Sequence, residues 1–242
     1  MSEYLKDKKG AYLSHNWSFH KNLGIALLLL ENFRVAAKSF ERAAQYTSAK
    51  SFNYHLLGFY QTLNALHAAD YPTAYELYRQ NRRCRFPTLR LQFAIIEAYL
   101  CFLSHTGHLH IDRIFRLGKY LNETIKAQAD KQGDNLNVII AELLILLARD
   151  RGKFIDRIEA VQHYSYRYLR GGGTRRGYWI IKILCLLPKV NFHPAALERR
   201  AKSYIEKLTT HPIASGENFA IEIIPFDRLL QIILQQLQQR VA

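Results

Sequence analysis

The sequence predicts an all-α protein built from consecutive helix pairs, and three features support this prediction. Apolar residues recur every three or four positions along most of the chain, as in the series Leu89, Phe93, Ile96 and Leu100, and this spacing is typical of one face of an α-helix. Only six prolines and twelve glycines occur in 242 residues, so the chain can support long helices. Strand signals are scarce, and the best of them is FAIEIIP at residues 219–225, where apolar residues alternate before a proline.

Short breaks divide the chain into successive predicted helices. The breaks are polar pairs or contain glycine and proline, as at Glu31-Asn32, Phe86-Pro87 and Gly171–Thr174. The predicted helices cover residues 12–30, 32–47, 50–68, 70–84, 87–105, 109–128, 134–149, 152–169, 174–187, 193–209 and 225–240. Breaks of this length usually join neighbouring antiparallel helices, so each helix is expected to pack against the next.

The first predicted helix contains the most apolar stretch, NLGIALLLL at residues 22–30. Its uninterrupted apolar run, Gly24–Leu30, ends at Glu31, whereas a transmembrane helix needs about 20 apolar residues. Later apolar segments are also short or carry a charge, such as Glu142 or Lys182. We therefore predict no membrane insertion.

The first four predicted helices contain an internal repeat. Gly24 in NLGIAL and Gly58 in LLGFYQ lie 34 positions apart, and Ala36, Phe40 and Ala43 follow Gly24 at intervals of 12, four and three. The small residues Gly24, Ala36 and Ala43 let two antiparallel helices approach closely, and we expect Phe40 to fill the gap between the helices. The pattern resembles the tetratricopeptide repeat, in which a Leu-Gly pair lies on helix A and alanine, phenylalanine and alanine lie on helix B.

The resemblance weakens along the chain. It is good for residues of about 17–50 and moderate to 87, where Ala74 and Tyr78 take the small and aromatic positions and Pro87 closes the second unit. After Pro87 only the succession of helix pairs continues. The sequence from about 134 to 242 is also similar to uncharacterised bacterial helical-repeat proteins, which imply no activity.

The tetratricopeptide resemblance implies a right-handed α-solenoid of antiparallel helix pairs in a single domain, residues 1–242. Its parts are the better-matching repeats at 17–87, degenerate helix pairs at 88–210 and a C-terminal cap at 218–242. In the cap helix we expect Leu230, Ile233, Leu234 and Leu237 to face inward and QQLQQR to supply a polar side.

The chain is strongly basic, with 34 Lys and Arg against 20 Asp and Glu and a formal net charge of +14. Such a surface favours binding to nucleic acid, anionic lipid or an acidic protein face. Alternatively, the positive charge serves only to keep the protein soluble. The three cysteines, Cys84, Cys101 and Cys185, form no CxxC pair and lie in helical contexts. We expect reduced, partly buried thiols and, because the first ten residues lack the apolar core of a secretory signal, a cytoplasmic protein.

Few residues indicate catalysis. His105, His108, His110 and Asp112 are plausible metal ligands, but they straddle a glycine-containing turn and no HExxH is present. The run Gly171–Gly173 follows no predicted strand and lacks the ending of a phosphate-binding loop, so it predicts an interhelical turn. We predict no enzyme activity, no metal and no cofactor; a metal-dependent enzyme centred on the histidines is a third class of function.

Two basic segments are the candidate binding sites, because arginines interleaved with aromatic residues can bind phosphate or carboxylate groups and stack on rings. The predicted binding residues are Arg79, Arg82, Arg83, Arg85 and Arg90 in the first segment and Arg167, Arg170, Arg175 and Arg176 in the second. Tyr78 and Phe86 accompany the first segment, and Trp179 is among the aromatic residues of the second. Alternatively, these arginines are solvated residues near helix C-termini, where the helix dipole favours cations.

The resemblance also implies peptide binding on the A helices. The best-known mode of the family holds a C-terminal carboxylate with lysine and asparagine residues; Lys21 occupies the lysine position, but Ile25 and Leu56 replace the asparagines. The clamp is therefore not supported. Other candidate groove residues are Asn53, Gln61, Arg90, Gln92 and Arg175.

We predict a non-catalytic interaction scaffold or adaptor that binds an acidic peptide or protein partner in a basic concave groove. The alternative is a nucleic-acid-binding or regulatory module that uses the same arginine and aromatic residues.

Overall fold

In the computed structural model, helices are the only regular secondary structure in the described part of the chain, which confirms the prediction of an all-α protein. The structure describes residues 3–111, 115–118, 120, 132–168, 175–213 and 221–239, and only the backbone of residues 3–12, 132–135 and 163–168. No strand occurs in these ranges.

The helix bounds follow the predicted breaks closely. The helices are α1 (Glu3–Leu29), α2 (Phe33–Ala44), α3 (Phe52–His67), α4 (Tyr71–Asn81), α5 (Pro87–His105), α6 (Gln132–Arg149), α7 (Arg151–Tyr168), α8 (Arg175–Leu186), α9 (Pro194–Thr210) and α10 (Phe226–Gln239), with a 3-10 turn at Pro188–Val190. The largest difference is the start of α1, at Glu3 instead of residue 12. The predicted helix 109–128 and the turn 171–173 lie mostly or wholly outside the described residues.

The segment with the best strand signal forms no strand where it is described. Residues 221–225 are an irregular stretch before α10, and Asn137 of α6 donates its Nδ2 to the Ile221 carbonyl oxygen at 3.2 Å. The Asn137 side chain therefore supplies the hydrogen-bond donor that a neighbouring strand would supply to this carbonyl in a sheet.

Two helix ends share one turn geometry. Glu31 (φ 59°) and Ala69 (φ 60°) adopt the left-handed conformation just after α1 and α3. In each turn the N–H of the following residue donates a hydrogen bond to a carbonyl five residues earlier. The distances are 2.8 Å from Asn32 to Leu27 and 2.9 Å from Asp70 to Ala65, which is the Schellman pattern. Asp70 then caps α4 by accepting a hydrogen bond from the Thr73 N–H at 3.2 Å.

The helices form two compact units, Met1–Ile96 and Glu97–Ala242. In the first unit, α1 packs on α2, α2 on α3 and α3 on α4. In the second unit, α6 packs on α7, α7 on α8, and α8, α9 and α10 pack on one another. Consecutive helices therefore bury each other's apolar faces within each unit. Among the described helices, none combines the length and the apolar character required to cross a membrane.

Phe40 lies over Gly24, as the sequence predicts. Ala36, Phe40 and Ala43 are fully buried, and a Cβ added to Gly24 would lie 2.6 Å from Cδ1 of Phe40. A glycine is needed here because the Phe40 ring lies directly on the α1 backbone.

The second predicted unit differs in one detail. Ala74 and Tyr78 are buried, as predicted, but the residue that faces Gly58 is Asn81, whose Cγ would lie 2.5 Å from an added Cβ. A polar side chain thus lies over Gly58, whereas an aromatic ring lies over Gly24.

The buried face of α10 is largely apolar. Leu230, Ile233 and Leu237 are buried as expected and Leu234 is half-buried. Gln236, predicted to lie on the polar side, is buried instead, with only 4% of its surface exposed.

The three cysteines, Cys84, Cys101 and Cys185, are free and buried, as predicted. Burial raises the pKa of the Cys185 thiol to about 11 and also raises the pKa of Cys101. The Cys101 and Cys185 thiols are therefore protonated at neutral pH.

Candidate functional site

The five arginines of the first basic segment lie between the last turn of α4 and the first turn of α5. Arg79 is on the last turn of α4, Arg82, Arg83 and Arg85 follow that helix, and Arg90 is on the first turn of α5. All are exposed except Arg82, which is half-buried. We call Arg79, Arg82, Arg83, Arg85 and Arg90 the α4–α5 arginine surface.

Two buried residues hold this segment in place. Asn81 forms three hydrogen bonds. Its Oδ1 lies 3.0 Å from Nδ1 of His55, and its Nδ2 donates to the Leu77 carbonyl at 2.9 Å. Its backbone carbonyl accepts the Cys84 N–H at 3.0 Å. Asn81 and Cys84 are buried, whereas Arg83 and Arg85 are exposed and Arg82 is half-buried.

An aromatic group supports one end of the surface. The Arg85 guanidinium lies 5.2 Å from the centre of the Phe86 ring, a distance at which a cation is attracted to the ring face. Phe86 in turn packs edge-on against Phe52, with ring centres 5.3 Å apart. Tyr78, by contrast, is buried and belongs to the core.

The charges of the surface are mostly unpaired. Arg79 forms an exposed salt bridge with Glu76 at 2.9 Å, an arrangement that contributes little to stability. Within the described ranges, no carboxylate lies within 4.0 Å of Arg82, Arg83, Arg85 or Arg90. This segment therefore presents four guanidinium groups that are available to an anionic partner.

The second basic segment does not form a comparable surface where it is described. Arg170 and the side chain of Arg167 lie outside the described residues. Arg175 is exposed on the first turn of α8, whereas the next residue, Arg176, has only 7% of its side chain exposed. Adjacent arginines of one helix therefore face solvent and core respectively.

Arg176 lies at the centre of an internal ion cluster. Its guanidinium donates to both carboxylate oxygens of Glu222, at 2.6 and 3.1 Å, and to Oδ1 of Asp227 at 2.9 Å. It also donates to the carbonyls of Leu208 and of His211, the latter at 2.7 Å. These bonds join α8, the end of α9, the stretch before α10 and α10 itself.

The aromatic residues after Arg176 also have defined positions. Trp179 is buried, with its ring centre 4.6 Å from that of His211 in an edge-on contact. Tyr178 is half-buried under the ammonium group of Lys182, at 5.2 Å. The predicted stacking surface thus loses Trp179 to the core of the second unit.

Two of the histidines considered as metal ligands form hydrogen bonds with other side chains. His105 accepts a hydrogen bond from Nε of Arg149 at 2.8 Å, and His108 Nδ1 lies 3.0 Å from the Thr106 hydroxyl. Asp112 lies outside the described residues. Within the described part of the chain, no three His, Cys, Asp or Glu side chains are grouped as metal ligands.

A cavity of 650 Å³ opens between α2, α3 and α4. Its wall includes Phe33, Ala65 and Leu77, and its charged lining residues are Glu31, Arg34, Glu41 and Asp70. We call it the α2–α4 cleft. It is lined by none of the arginines predicted to bind a partner.

One of the candidate groove residues lines this cleft, namely Gln61. Asn53 and Arg90 are exposed elsewhere in the first unit. Lys21, in the lysine position of the clamp, is half-buried with its ammonium group 4.9 Å from the Trp17 ring centre, and burial lowers its pKa.

Two groups of residues at the candidate sites are not among those predicted from the sequence. Asn81 and Asn64 are polar residues at buried helical positions. Asn81 follows Tyr71, Ala74 and Tyr78 on the buried face of α4, and a polar residue at the end of such a series is a signal that the sequence contains. The carboxylates of the cleft carry no such signal, since Glu31, Glu41 and Asp70 come from different helices and turns.

No family model matches this chain, and no curated protein or solved structure is significantly similar to it. A functional interpretation therefore rests on the chain's own residues.

Proposed function

We propose that this protein is a non-catalytic, tetratricopeptide-like interaction module that binds an acidic segment of a partner protein through the α4–α5 arginine surface. In this proposal the helices pair in antiparallel fashion and stack as a right-handed solenoid, so that the loops and inner helices are presented to a partner. The protein acts by non-covalent recognition as a scaffold or adaptor.

The repeat-like packing of the first unit supports this class of protein. Phe40 fills the space over Gly24, and Asn81 fills the equivalent space over Gly58. Two successive helix pairs thus use a glycine on the first helix and a larger side chain on the second. Stacked pairs of this kind form extended binding surfaces in repeat proteins.

The observation that carries the proposal is the unpaired charge of the arginine surface on a well-anchored turn. Arg82, Arg83, Arg85 and Arg90 have no carboxylate partner in the described structure. Asn81, just before them, bonds to His55 through its side chain and accepts the Cys84 N–H through its carbonyl. Guanidinium groups form bidentate hydrogen bonds with carboxylates. Because the turn is already ordered, little conformational entropy is lost when a partner binds.

The test is capture of partners by the purified protein, quantified by mass spectrometry, with and without Arg82→Glu/Arg83→Glu. Arg176, which the sequence places in the second candidate segment, is unsuitable for charge reversal because it is part of the core. We expect the double reversal to weaken retention of a defined partner by about tenfold or more, since like charges then face each other.

A matched control is Arg199→Glu/Arg200→Glu, which changes two exposed arginines of α9 and alters the net charge equally. This control is expected to retain the partner. Equal loss in both variants would show that only net charge matters and would contradict the proposal.

A further inference from the structure

We propose that the α2–α4 cleft is a second binding site, which accepts a lysine or arginine side chain of a peptide segment from another protein. This inference does not rest on the proposed function, because the cleft is a different surface with the opposite charge.

The charges around the cleft favour a cation. Three carboxylates, Glu31, Glu41 and Asp70, and one guanidinium, Arg34, line it, and all four side chains are exposed. The whole chain carries a formal charge of +14, so this local excess of negative charge is opposite to the general trend. An opposite charge on a partner is attracted here and repelled by most of the remaining surface.

A buried amide in the cleft also lacks a donor. Asn64 lines the cleft with 6% of its surface exposed, and its Nδ2 donates to the Phe33 carbonyl at 3.0 Å. Among the described residues, no donor lies within hydrogen-bonding distance of its Oδ1. A buried acceptor without a partner is energetically unfavourable, and ammonium and guanidinium groups supply donors and no acceptor.

The size and wall of the cleft fit the stem of such a side chain. The volume of 650 Å³ falls within the range of about 300–1,000 Å³ that is usual for ligand sites. Phe33 and Leu77 are half-buried in the wall. The methylene stem of lysine or arginine packs on apolar surface of this kind while its charged end reaches polar groups.

The probe is a fluorescein-labelled peptide with one arginine between two leucines and flanking glycine and serine residues, measured by fluorescence anisotropy. The comparison peptide carries citrulline, a neutral analogue of arginine, at the same position. We expect the arginine peptide to bind at least about tenfold more tightly than the citrulline peptide. General attraction to the protein cannot produce this result, because the protein as a whole repels cations.

The cleft itself is tested with Glu31→Gln/Glu41→Gln. This pair is expected to weaken binding of the arginine peptide about tenfold and leave the melting temperature unchanged, since both side chains are exposed. The matched control, Glu159→Gln/Glu198→Gln, removes two exposed carboxylates outside the cleft and is expected to bind as the unmodified protein does.

Three results would overturn the proposal. The first is equal affinity for the arginine and citrulline peptides, or no binding at about 1 mM peptide. The second is equal weakening in the cleft variant and its control. The third is concentration-dependent self-association in sedimentation equilibrium that the cleft variant abolishes, which would assign the cleft to a second copy of this arginine-rich chain.

Discussion

Arg176 shows how strongly the meaning of a single side chain depends on residues far along the sequence. Its partners Glu222 and Asp227 follow it by 46 and 51 positions, and neither has a sequence signature that points back to it. A buried arginine is stable only because these carboxylates and two carbonyls satisfy its donors together. Charge patterning alone therefore cannot separate Arg176 from its exposed neighbour Arg175.

The ion cluster makes a prediction about stability. Replacing Arg176→Met leaves the buried Glu222 carboxylate without its main partner, and breaking a buried pair on one side costs about 3–5 kcal/mol. We expect the free energy of unfolding, measured by urea denaturation, to fall by about that amount. The neighbouring substitution Arg175→Met removes an exposed guanidinium and is expected to change it by less than about 0.5 kcal/mol. Similar losses in both variants would mean that the cluster contributes nothing specific.

At the scale of the helix, the turns after α1 and α3 use a left-handed residue that is not glycine. Ala69 has a φ of 60°, a conformation that costs an L-residue about 1–2 kcal/mol. The Schellman hydrogen bonds and the packing of α4 against α3 compensate for this cost.

This geometry predicts opposite effects at two adjacent positions. Ala69→Gly removes the strain and is expected to raise the free energy of unfolding by about 0.5–1 kcal/mol. Ala68 has an ordinary helical φ of −74°, so Ala68→Gly is expected to lower it by about the same amount because the unfolded chain gains freedom. Thermal melting of both variants measures the difference. Shifts of the same sign would contradict the assigned turn.

The helices themselves were largely predictable from the sequence, because apolar periodicity and short polar breaks are local signals. Ends such as Asp70 and Pro87 were placed well because a cap or a proline marks them. The early start of α1 at Glu3 was not predicted, since MSEYLKDKKG has no apolar face to indicate a helix. Only long-range packing explains the burial of Gln236, a residue that the local pattern places on the polar side.

The candidate sites were less predictable than the helices, because they depend on long-range packing as well as on local signals. The α4–α5 arginine surface lies in one continuous segment, so its arginines could be named in advance. The α2–α4 cleft combines Glu31, Asn64 and Asp70 from three places in the chain, and their proximity exists only after the helices have packed. Sequence patterns predict which residues share a helix face, but not which faces enclose a cavity.

For the whole molecule, the net charge of +14 is distributed unevenly. In the described part of the chain, four guanidinium groups of the arginine surface have no carboxylate partner, whereas the cleft of the same unit has more carboxylates than cations. A uniform attraction to polyanions therefore does not describe this protein, and the nucleic-acid alternative has to be separated from general charge effects by experiment.

A salt series with a fluorescent single-stranded oligonucleotide separates them. Each phosphate contact on single-stranded nucleic acid contributes a slope of about −0.7 in log affinity against log salt concentration. If the arginine surface recognises an acidic protein, we expect only weak oligonucleotide binding at about 20 mM salt that disappears by about 150 mM. Arg82→Glu/Arg83→Glu and Arg199→Glu/Arg200→Glu should then weaken it equally, because net charge alone is responsible. Tight binding at 150 mM salt that only the first variant abolishes would instead establish nucleic acid as the partner, since it would require specific stacking and phosphate contacts at Arg82, Arg83 and the Arg85–Phe86 pair.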